Sequence, residues 1–323
     1  MKIAILGAGR IAGIVSRTLS ELENFERYAV ASRAPDRAET FRAQYGFQKA
    51  FGSYEEMLAD PEVELVYVAT PHSHHYEHIM LCLNAGKHVL CEKSFTLNAK
   101  QAKDAAAYAQ EKGLFLAEAM WTRYMPSRAM IDDLIASGII GAPHILTANL
   151  CYHSISVERI FRPELAGGAL LDLGVYGVNF AMMHFGDDIE RIETSAQMTD
   201  TGVDASESIT LHYRDGRMAI LTHSVLARSD RRGIIFGEKG YIVVQGINNP
   251  RSVSVYDLDD NLLAHYDVPK QISGYEYEFL EAERCIREGK RESDSTPLQH
   301  TIRIMELMDA MRARWGLVYP QEQ

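Results

Sequence analysis

The fold of this chain is decided by residues 2–12, which read KIAILGAGRIA. The run begins as a short apolar strand and continues, through a turn of the form G-x-G-x-x-A, into a helical pattern. Gly7 allows the strand to turn sharply, Gly9 leaves room for a pyrophosphate against the backbone, and Ala12 lets the helix pack closely on the strand. Free N–H groups at the start of the helix attract the phosphates. The stretch therefore predicts a dinucleotide-binding unit, the alternative being a turn in an unrelated α/β domain.

The composition of the chain limits the classes of protein to which it belongs. Its 323 residues are enough for two domains with separate cores. The formal net charge of −11 argues against nucleic acid as a main partner, because a phosphate backbone needs a basic surface. The apolar runs are far shorter than the ~20 residues that cross a bilayer, and the N-terminal run is too short for a signal peptide. Four scattered cysteines without a C-x-x-C pair indicate a reducing compartment, so we expect a cytoplasmic protein that binds neither nucleic acid nor membranes.

Strands and helices alternate over residues 1–120, which predicts a dinucleotide-binding Rossmann domain with a doubly wound parallel sheet. An NAD-binding unit needs an Asp or Glu about 20 residues past the glycines, but here Ser32 and Arg33 stand at that distance, with Arg37 one turn later. A hydroxyl and guanidinium groups hold a 2′-phosphate that a carboxylate would repel. These residues therefore favour NADP over NAD. The alternative is that both arginines are solvated residues at the start of a helix.

Two further predicted strands end in polar residues, where ligands of such sheets lie. The fourth strand ends at Thr70-Pro71, followed by four histidines within residues 72–78. They lack the H-E-x-x-H order and a flanking acidic ligand, so we predict no metal and expect one histidine to face the nicotinamide half of the cofactor. The fifth strand ends in Glu92-Lys93, and Lys93 is a compact cation whose pKa shifts easily in a ligand crevice. The alternative is a surface salt bridge of little energetic value.

Residues 121–323 are predicted to form a substrate-binding and dimerisation domain of the α+β class. A helix over residues 170–185 carries Asp172 and Tyr176 four residues apart, so both project from one face. The alternatives are a core tyrosine and a carboxylate that interacts with the start of the helix. Alternating strands with hairpin signals between residues 191 and 268 predict an open, mostly antiparallel sheet. One face of this sheet would be exposed and apolar without a partner, so we predict a homodimer through the sheet.

Four stretches carry a resemblance that covers the whole chain. They are GAGRIA at residues 7–12, Thr70-Pro71 with His75, GKHVLCEK at residues 86–93, and GGALLDLGVY at residues 167–176. Together they resemble the glucose–fructose oxidoreductase / inositol dehydrogenase (Gfo/Idh/MocA) family. That family usually has a proline, often with a cis bond, where this chain has Ser94, and often a histidine where it has Tyr176. The tyrosine and EAMWTR at residues 118–123 are most similar to the branch of dimeric dihydrodiol dehydrogenases and NADP-linked D-xylose dehydrogenases.

The resemblance implies an NADP-dependent dehydrogenase that transfers a hydride between nicotinamide and the carbinol or carbonyl carbon of a sugar, polyol or cyclic trans-diol. The catalytic residues would be Lys93, Tyr176 and Asp172. The residues predicted to bind the cofactor are Gly7, Gly9, Arg10, Ile11, Ala12, Ser32, Arg33, Arg37, Thr70, Pro71, His75, Glu92 and Lys93. Those predicted to bind the substrate are Trp121, Phe161 and Arg162.

The expected chemistry is proton exchange between Tyr176 and the substrate oxygen. A tyrosine with a pKa near 10 needs a neighbouring cation to do this at neutral pH, and Lys93 is the available one. Asp172 would bind a second hydroxyl or orient the lysine. Two other functions stay open: a lyase that cleaves glycosidic bonds through transient oxidation with retained NAD(P), and a regulator that senses NADP without catalysis.

Overall fold

A computed structural model of the chain describes all residues from 1 to 323. The strands are β1 (Lys2–Leu6), β2 (Glu26–Ala31), β3 (Lys49–Phe51), β4 (Leu65–Val68), β5 (His88–Glu92), β6 (Leu116–Ala119), β7 (Pro143–Cys151), β8 (Ile189–Met198), β9 (Asp204–Tyr213), β10 (Met218–Ser224), β11 (Arg232–Gly237), β12 (Gly240–Gln245), β13 (Ser252–Asp257) and β14 (Leu262–Asp267). The α-helices are α1 (Arg10–Leu19), α2 (Pro35–Tyr45), α3 (Tyr54–Leu58), α4 (His75–Asn84), α5 (Ala99–Lys112), α6 (Pro126–Ala136), α7 (Val175–Phe185), α8 (Glu276–Arg287) and α9 (Leu298–Trp315).

The first six strands form one parallel sheet in the order β3-β2-β1-β4-β5-β6. The strand order reverses at β1, so a crevice at the carboxyl ends of β1 and β4 is where ligands bind in such sheets. β1 and β4 are almost entirely buried, because apolar residues face the helices on both sides of the sheet. The predicted Rossmann sheet is confirmed.

Polar caps fix the starts of two helices in this unit. The Ser53 hydroxyl accepts the Glu56 N–H at 3.2 Å at the start of α3. The Asn98 side chain accepts the Gln101 N–H at 3.0 Å at the start of α5. Each cap satisfies one N–H group that the helix itself leaves without an acceptor, so both helices begin where the sequence predicts.

The chain divides into two compact units that differ from the predicted domains. Met1–Tyr124 and Gln271–Met305 form the first unit, and Met125–Lys270 and Glu306–Gln323 form the second. The carboxyl-terminal segment joins the first unit because the Phe279 ring packs into the core of the parallel sheet. The roles assigned to residues 1–120 and 121–323 stay predictions.

The second unit is built on an eight-stranded sheet in the order β14-β13-β12-β11-β7-β10-β9-β8. All neighbours are antiparallel except β7 and β10, which are parallel, so the prediction of an open, mostly antiparallel sheet is confirmed. Helix α7 packs on β7 and β10. Along β7 the buried Leu146 and Ala148 alternate with partly exposed residues, as expected for a sheet with one covered face.

The most apolar stretch of the chain lies in the second unit. An 18-residue window within residues 163–185 has a mean hydropathy of 1.3, and this stretch is long and apolar enough to span a bilayer by length and composition alone. The sequence had indicated only shorter apolar runs. Within the protein, 89% of the most apolar window is buried, which is typical of a core helix in a folded domain.

Candidate active site

The glycine turn after β1 leaves the start of α1 open to a ligand. Gly7 has φ +107°, and a Cβ there would lie 3.0 Å from the Ala69 carbonyl oxygen, so only glycine is accommodated. Gly9 precedes α1 without a side-chain cap, and the first turn of the helix contains no acidic residue. The N–H groups of this turn are therefore available to an anion, and the turn fits a dinucleotide pyrophosphate. Arg10, Ile11 and Ala12 form that first turn, and their contact with the cofactor stays a prediction.

The end of β2 carries positive charge close to the glycine turn. Arg37 Nε donates to the Ala8 carbonyl oxygen at 3.0 Å, which fixes this guanidinium beside the turn. Ser32 is buried, whereas Arg33 is exposed. Burial raises the pKa of the Tyr54 hydroxyl, and the charge of Arg33 and a hydrogen bond from it oppose that rise. Tyr54 is thus a neighbour of Arg33 that sequence reasoning missed, because α3 lies more than twenty residues further along the chain.

His75 lies beneath the carboxyl edge of the sheet and is fully buried. Its Nδ1 lies 2.7 Å from the Ser94 carbonyl oxygen and its Nε2 lies 2.8 Å from the Thr70 carbonyl oxygen. Burial lowers the pKa of His75 to about 4, against the effect of these two carbonyl groups. The ring ties the end of β4 to the end of β5. The contact of His75 with the cofactor stays a prediction.

The other histidines of residues 72–78 contact one another and their surroundings. The His74 and His78 rings stack with centroids 5.7 Å apart, and His78 Nδ1 lies 2.9 Å from the Thr70 hydroxyl. His78 also meets Tyr54 edge to face at 4.9 Å. These contacts form an aromatic cluster between α3 and α4. The absence of a metal stays a prediction.

Lys93 follows β5 directly and is partly exposed at the carboxyl edge of the sheet. The Lys93–Ser94 peptide bond is cis. Glu92 is buried, accepts a hydrogen bond from the Tyr67 hydroxyl, and accepts the Lys93 N–H at 3.2 Å. Its contact with the cofactor stays a prediction. The two adjacent residues therefore differ in environment, since β5 turns Glu92 into the core and leaves Lys93 at the edge.

Trp121 begins a 3-10 turn, Trp121–Arg123, after β6, and is only 7% exposed. Its ring stacks on Tyr275 with centroids 4.2 Å apart and an angle of 7° between the planes. Tyr275 belongs to the carboxyl-terminal segment of the same unit. The predicted pocket tryptophan thus has an aromatic neighbour that sequence reasoning treated only as the start of a helix.

Glu118, on β6, is a buried acid close to this turn. It accepts the Phe95 N–H at 3.2 Å and the Thr301 hydroxyl at 3.0 Å. Burial raises the pKa of Glu118 to about 7, although both hydrogen bonds and the charge of Arg123 act in the opposite direction. The carboxyl group joins the end of the parallel sheet to α9.

In the second unit, Asp172 and Tyr176 lie on one continuous helical segment with two geometries. Residues Leu170–Gly174 form a π-helical turn, and α7 continues it. The predicted helix is confirmed in extent, but its first turn is wider than the α-helix on which the spacing argument relied. Asp172 pairs with Arg159, whose Nη2 lies 2.9 Å from Asp172 Oδ1. Tyr176 is 7% exposed.

The two arginines of the loop before this helix have different partners, and the predicted binding of the substrate by this loop stays a prediction. Arg162, predicted to bind the substrate, is exposed and pairs with Glu158 at 2.7 Å and with Glu164 at 2.6 Å. Phe161, also predicted to bind the substrate, is half-buried in a 3-10 turn. The arginine that reaches a candidate catalytic residue is Arg159. The sequence offered no signal to distinguish it from Arg162, since both lie in the same loop.

The first unit contains a Rossmann sheet with an open phosphate-binding helix. The second unit contains a helix that carries an acid and a tyrosine. These features are typical of an NAD(P)-dependent oxidoreductase. Two protein-family models match this chain and agree with that assignment. Residues 1–120 match the oxidoreductase family with an NAD-binding Rossmann fold, and residues 129–243 match the GFO/IDH/MocA C-terminal domain. The chain belongs to the GFO/IDH/MocA family, as the resemblance implied.

Relatives of similar length include named dehydrogenases. The trans-1,2-dihydrobenzene-1,2-diol dehydrogenase of Mus musculus is 32% identical over 336 residues, covering 100% of this chain and 99% of that protein. The Homo sapiens enzyme of the same name is 33% identical over 334 residues, with the same coverage of each. A 3-ketoreductase from Actinomadura kijaniata, solved in complex with NADP and TDP-benzene, is 26% identical, with a TM-score of 0.90 and 97% of each chain covered.

Proposed function

We propose that this chain is an NADP-dependent dehydrogenase acting on the carbinol or carbonyl carbon of a sugar, polyol or cyclic trans-diol. The observation that carries the proposal is the position of Lys93. It follows β5 at the carboxyl edge of the parallel sheet, the edge that also carries the glycine turn after β1. The diol in the name of the vertebrate relatives and the NADP bound to the bacterial 3-ketoreductase support the substrate class and the cofactor.

The preference for NADP rests on the charges at the end of β2. Ser32 stands where an NAD-binding unit needs a carboxylate, and Arg33 and Arg37 follow it. Guanidinium groups bind a phosphate with two parallel hydrogen bonds. We therefore assign Arg33 and Arg37 to the 2′-phosphate and the first turn of α1 to the pyrophosphate.

The nicotinamide, when bound, supplies or accepts the hydride. Tyr176 donates a proton from its hydroxyl to the substrate oxygen during reduction and takes it back during oxidation. Lys93 supplies the positive charge that stabilises the phenolate. Asp172, oriented by its pairing with Arg159, accepts a hydrogen bond from a second substrate hydroxyl.

Two substitutions test the proposed proton donor and cation. In Tyr176→Phe, kcat should fall about 10²–10⁴-fold, because general acid–base catalysis contributes that much. Lys93→Met should lower kcat by a similar factor and weaken NADPH binding moderately. Fluorescence titration with NADPH and steady-state kinetics measure both effects. The half-buried Tyr108 and the exposed Lys100 provide controls as Tyr108→Phe and Lys100→Met. Normal turnover in both active-site variants would contradict the assignment.

A substrate panel separates this function from the two alternatives. Purified protein is mixed with NADPH and a series of sugars, ketones and cyclic diols, in both directions, and the absorbance of NADPH is followed. Net oxidation or reduction supports the dehydrogenase. Glycoside cleavage with retained cofactor and no net absorbance change indicates a lyase. Tight NADPH binding without any turnover indicates a regulator.

A further inference from the structure

Three ionisable side chains are buried together in the sheet of the second unit. Glu207 on β9 and His223 on β10 are opposite each other in the antiparallel register, with His223 Nδ1 3.0 Å from Glu207 Oε1. Asp204 begins β9 and is fully buried. We call Asp204, Glu207 and His223 the buried triad. None of its members was singled out from the sequence.

The buried triad lies directly against the segment that carries Asp172 and Tyr176. A Cβ built on Gly168 would lie well within 3.0 Å of Asp204 Oδ1, and one on Gly174 would lie as close to Glu207 Oε1. A Cβ built on Gly177 would lie equally close to His223 Nε2. The polar ends of these three side chains thus fill the space beside three glycines, which have no side chain of their own, on one face of this segment.

One member of the triad also bonds to the start of the segment. Asp204 Oδ2 accepts the Leu170 N–H at 2.6 Å, at the first residue of the π-helical turn. This N–H belongs to the helix start, where the helix itself supplies no acceptor. The Asp204 and Glu207 carboxyl groups hydrogen-bond to each other, and His223 Nε2 has no hydrogen-bond partner in the chain. Burying such groups costs free energy, so packing alone does not account for them.

Burial favours the uncharged form of each member of the triad. Burial raises the pKa of Glu207 to about 8 and lowers the pKa of His223 to about 3. Burial and the nearby Glu207 raise the pKa of Asp204 as well. Two other titratable groups, Tyr319 and Cys151, also interact with the triad. The contact between Glu207 and His223 therefore lies where burial disfavours charge on both groups.

We propose that Asp204, Glu207 and His223 are positioning residues that hold the π-helical turn of residues 170–174, and through it Asp172 and Tyr176, in a single arrangement. They act through the backbone of that segment and do not touch the substrate. The catalytic part of this inference rests on the proposed function. The structural part concerns the order of residues 168–178 and stands without it.

Hydrogen exchange of the full chain with NADPH bound tests the structural part. In Asp204→Ala, the Leu170 amide loses its acceptor, and exchange over residues 168–178 should accelerate about tenfold, as expected for one lost buried hydrogen bond. Exchange in β1 should not change. Asp204→Asn keeps an oxygen that can accept, so it should restore slow exchange. His212→Ala, on the same strand β9, is the matched control.

Kinetics test the catalytic part. Asp204→Ala should lower kcat while the KM for NADPH stays the same, and Asp204→Asn should recover most of the loss. Unchanged exchange in a folded Asp204→Ala protein overturns the inference. Faster exchange with unchanged kcat overturns its catalytic part. If the wild-type protein turns over no substrate, the proposed function fails, and the exchange result alone decides whether the triad positions the segment.

A second pair of variants covers the case in which Asp204→Ala does not fold. Gly177→Ala places a methyl group against His223 Nε2, so it should disturb the segment and accelerate its exchange. His223→Ala in the same chain removes the obstruction and should bring exchange back toward the wild-type rate. If the double variant exchanges as fast as Gly177→Ala alone, His223 does not set the position of the helix and the inference is wrong.

Discussion

At the scale of single residues, Arg33 is the side chain that we expect to favour NADP over NAD. It follows the buried Ser32 at the end of β2, is exposed, and interacts with Tyr54. Its charge also contributes, after burial, to the lowered pKa of His74. A guanidinium with an ordered neighbour loses less conformational entropy when it binds a phosphate. The surroundings of Arg33 therefore favour a role in binding over that of a freely solvated side chain.

Replacing Arg33 should change the choice between cofactors. Arg33→Ala should raise the Kd for NADPH about 10–100-fold, because a hydrogen bond to a charged group contributes about 1.5–3 kcal/mol. The Kd for NADH should change little, since NADH has no 2′-phosphate. Calorimetric titration measures both constants. Arg42→Ala, on the following helix α2 and paired with Glu39, is the control. An equal increase in Kd for NADPH and NADH would argue against the assignment of Arg33 to the 2′-phosphate.

Glu118 provides a prediction about pH. Because burial raises its pKa to about 7, the folded state keeps a proton that the unfolded state has lost above a pH of about 4.3. Its contribution to stability is therefore complete at low pH and is lost as the pH rises through 7. Glutamine does not titrate. Between pH 5 and pH 7, the free energy of unfolding of Glu118→Gln should rise relative to the wild type by about 2 kcal/mol.

Urea denaturation of both proteins at the two pH values measures this difference. The exposed Glu111 offers a control as Glu111→Gln, for which the difference from the wild type should be independent of pH. If the free energy of unfolding of Glu118→Gln differs from that of the wild type by the same amount at both pH values, the buried carboxyl is ionised throughout this range.

At the scale of elements, α8 shows how a distant segment completes the first unit. Its Phe279 is fully buried, with ring centroids 5.2 Å from Tyr67 and 6.2 Å from Phe25. The N-terminal end of α8 is next to Tyr275, which stacks on Trp121. The helix therefore supplies both core packing and a neighbour of the candidate pocket.

Removing this aromatic anchor should destabilise the first unit. Phe279→Ala should lower the free energy of unfolding by about 3–5 kcal/mol, as for other buried phenylalanines. The neighbouring Leu280 is 37% exposed, so Leu280→Ala should lower the free energy of unfolding much less. Chemical denaturation compares the two variants. Similar losses in both would show that α8 does not depend on Phe279 for its attachment.

At the scale of the whole molecule, the second sheet carries an apolar row on its outer face. Residues that face one another across five neighbouring strands continue this row: Ile145, Phe236, Tyr241, Tyr256 and Leu262. Aromatic rings meet along it, with centroids 5.8 Å apart for Phe236 and Tyr241 and 5.1 Å apart for Tyr241 and Tyr256. Leu262 is 56% exposed. Since contiguous apolar surface of this kind marks an interaction site, we propose that a second copy of the chain covers it.

A charge in the middle of this row should prevent association. Phe236→Glu should convert a dimer into a monomer, because an unpaired carboxylate would be buried at the interface. Sedimentation velocity measures the mass of each protein. Val318 is exposed and lies outside the sheet, so Val318→Glu should leave the mass unchanged. A wild-type protein that sediments as a monomer would contradict the proposed dimer directly.

The sequence by itself determined the elements and the first sheet. The limits of β1, β3 and α5 match the pattern of apolar residues and caps, because periodicity and turn chemistry act over a few neighbouring residues. The same local rules placed the glycine turn and Lys93 at strand ends, and the order of parallel strands then brings strand ends to one edge. Cofactor class and family could be inferred on these grounds.

Only the tertiary structure decided which side chains face inward and which distant residues meet. The sequence did not show that Glu92 and His75 are buried while Lys93, next to Glu92, is partly exposed. The contacts of Glu92 and His75 with a cofactor stay predictions. Arg159, and not Arg162, reaches Asp172, and the contacts of the buried triad with the helical segment join residues 33 to 46 positions apart. Such contacts depend on the packing of whole elements, which no local pattern encodes.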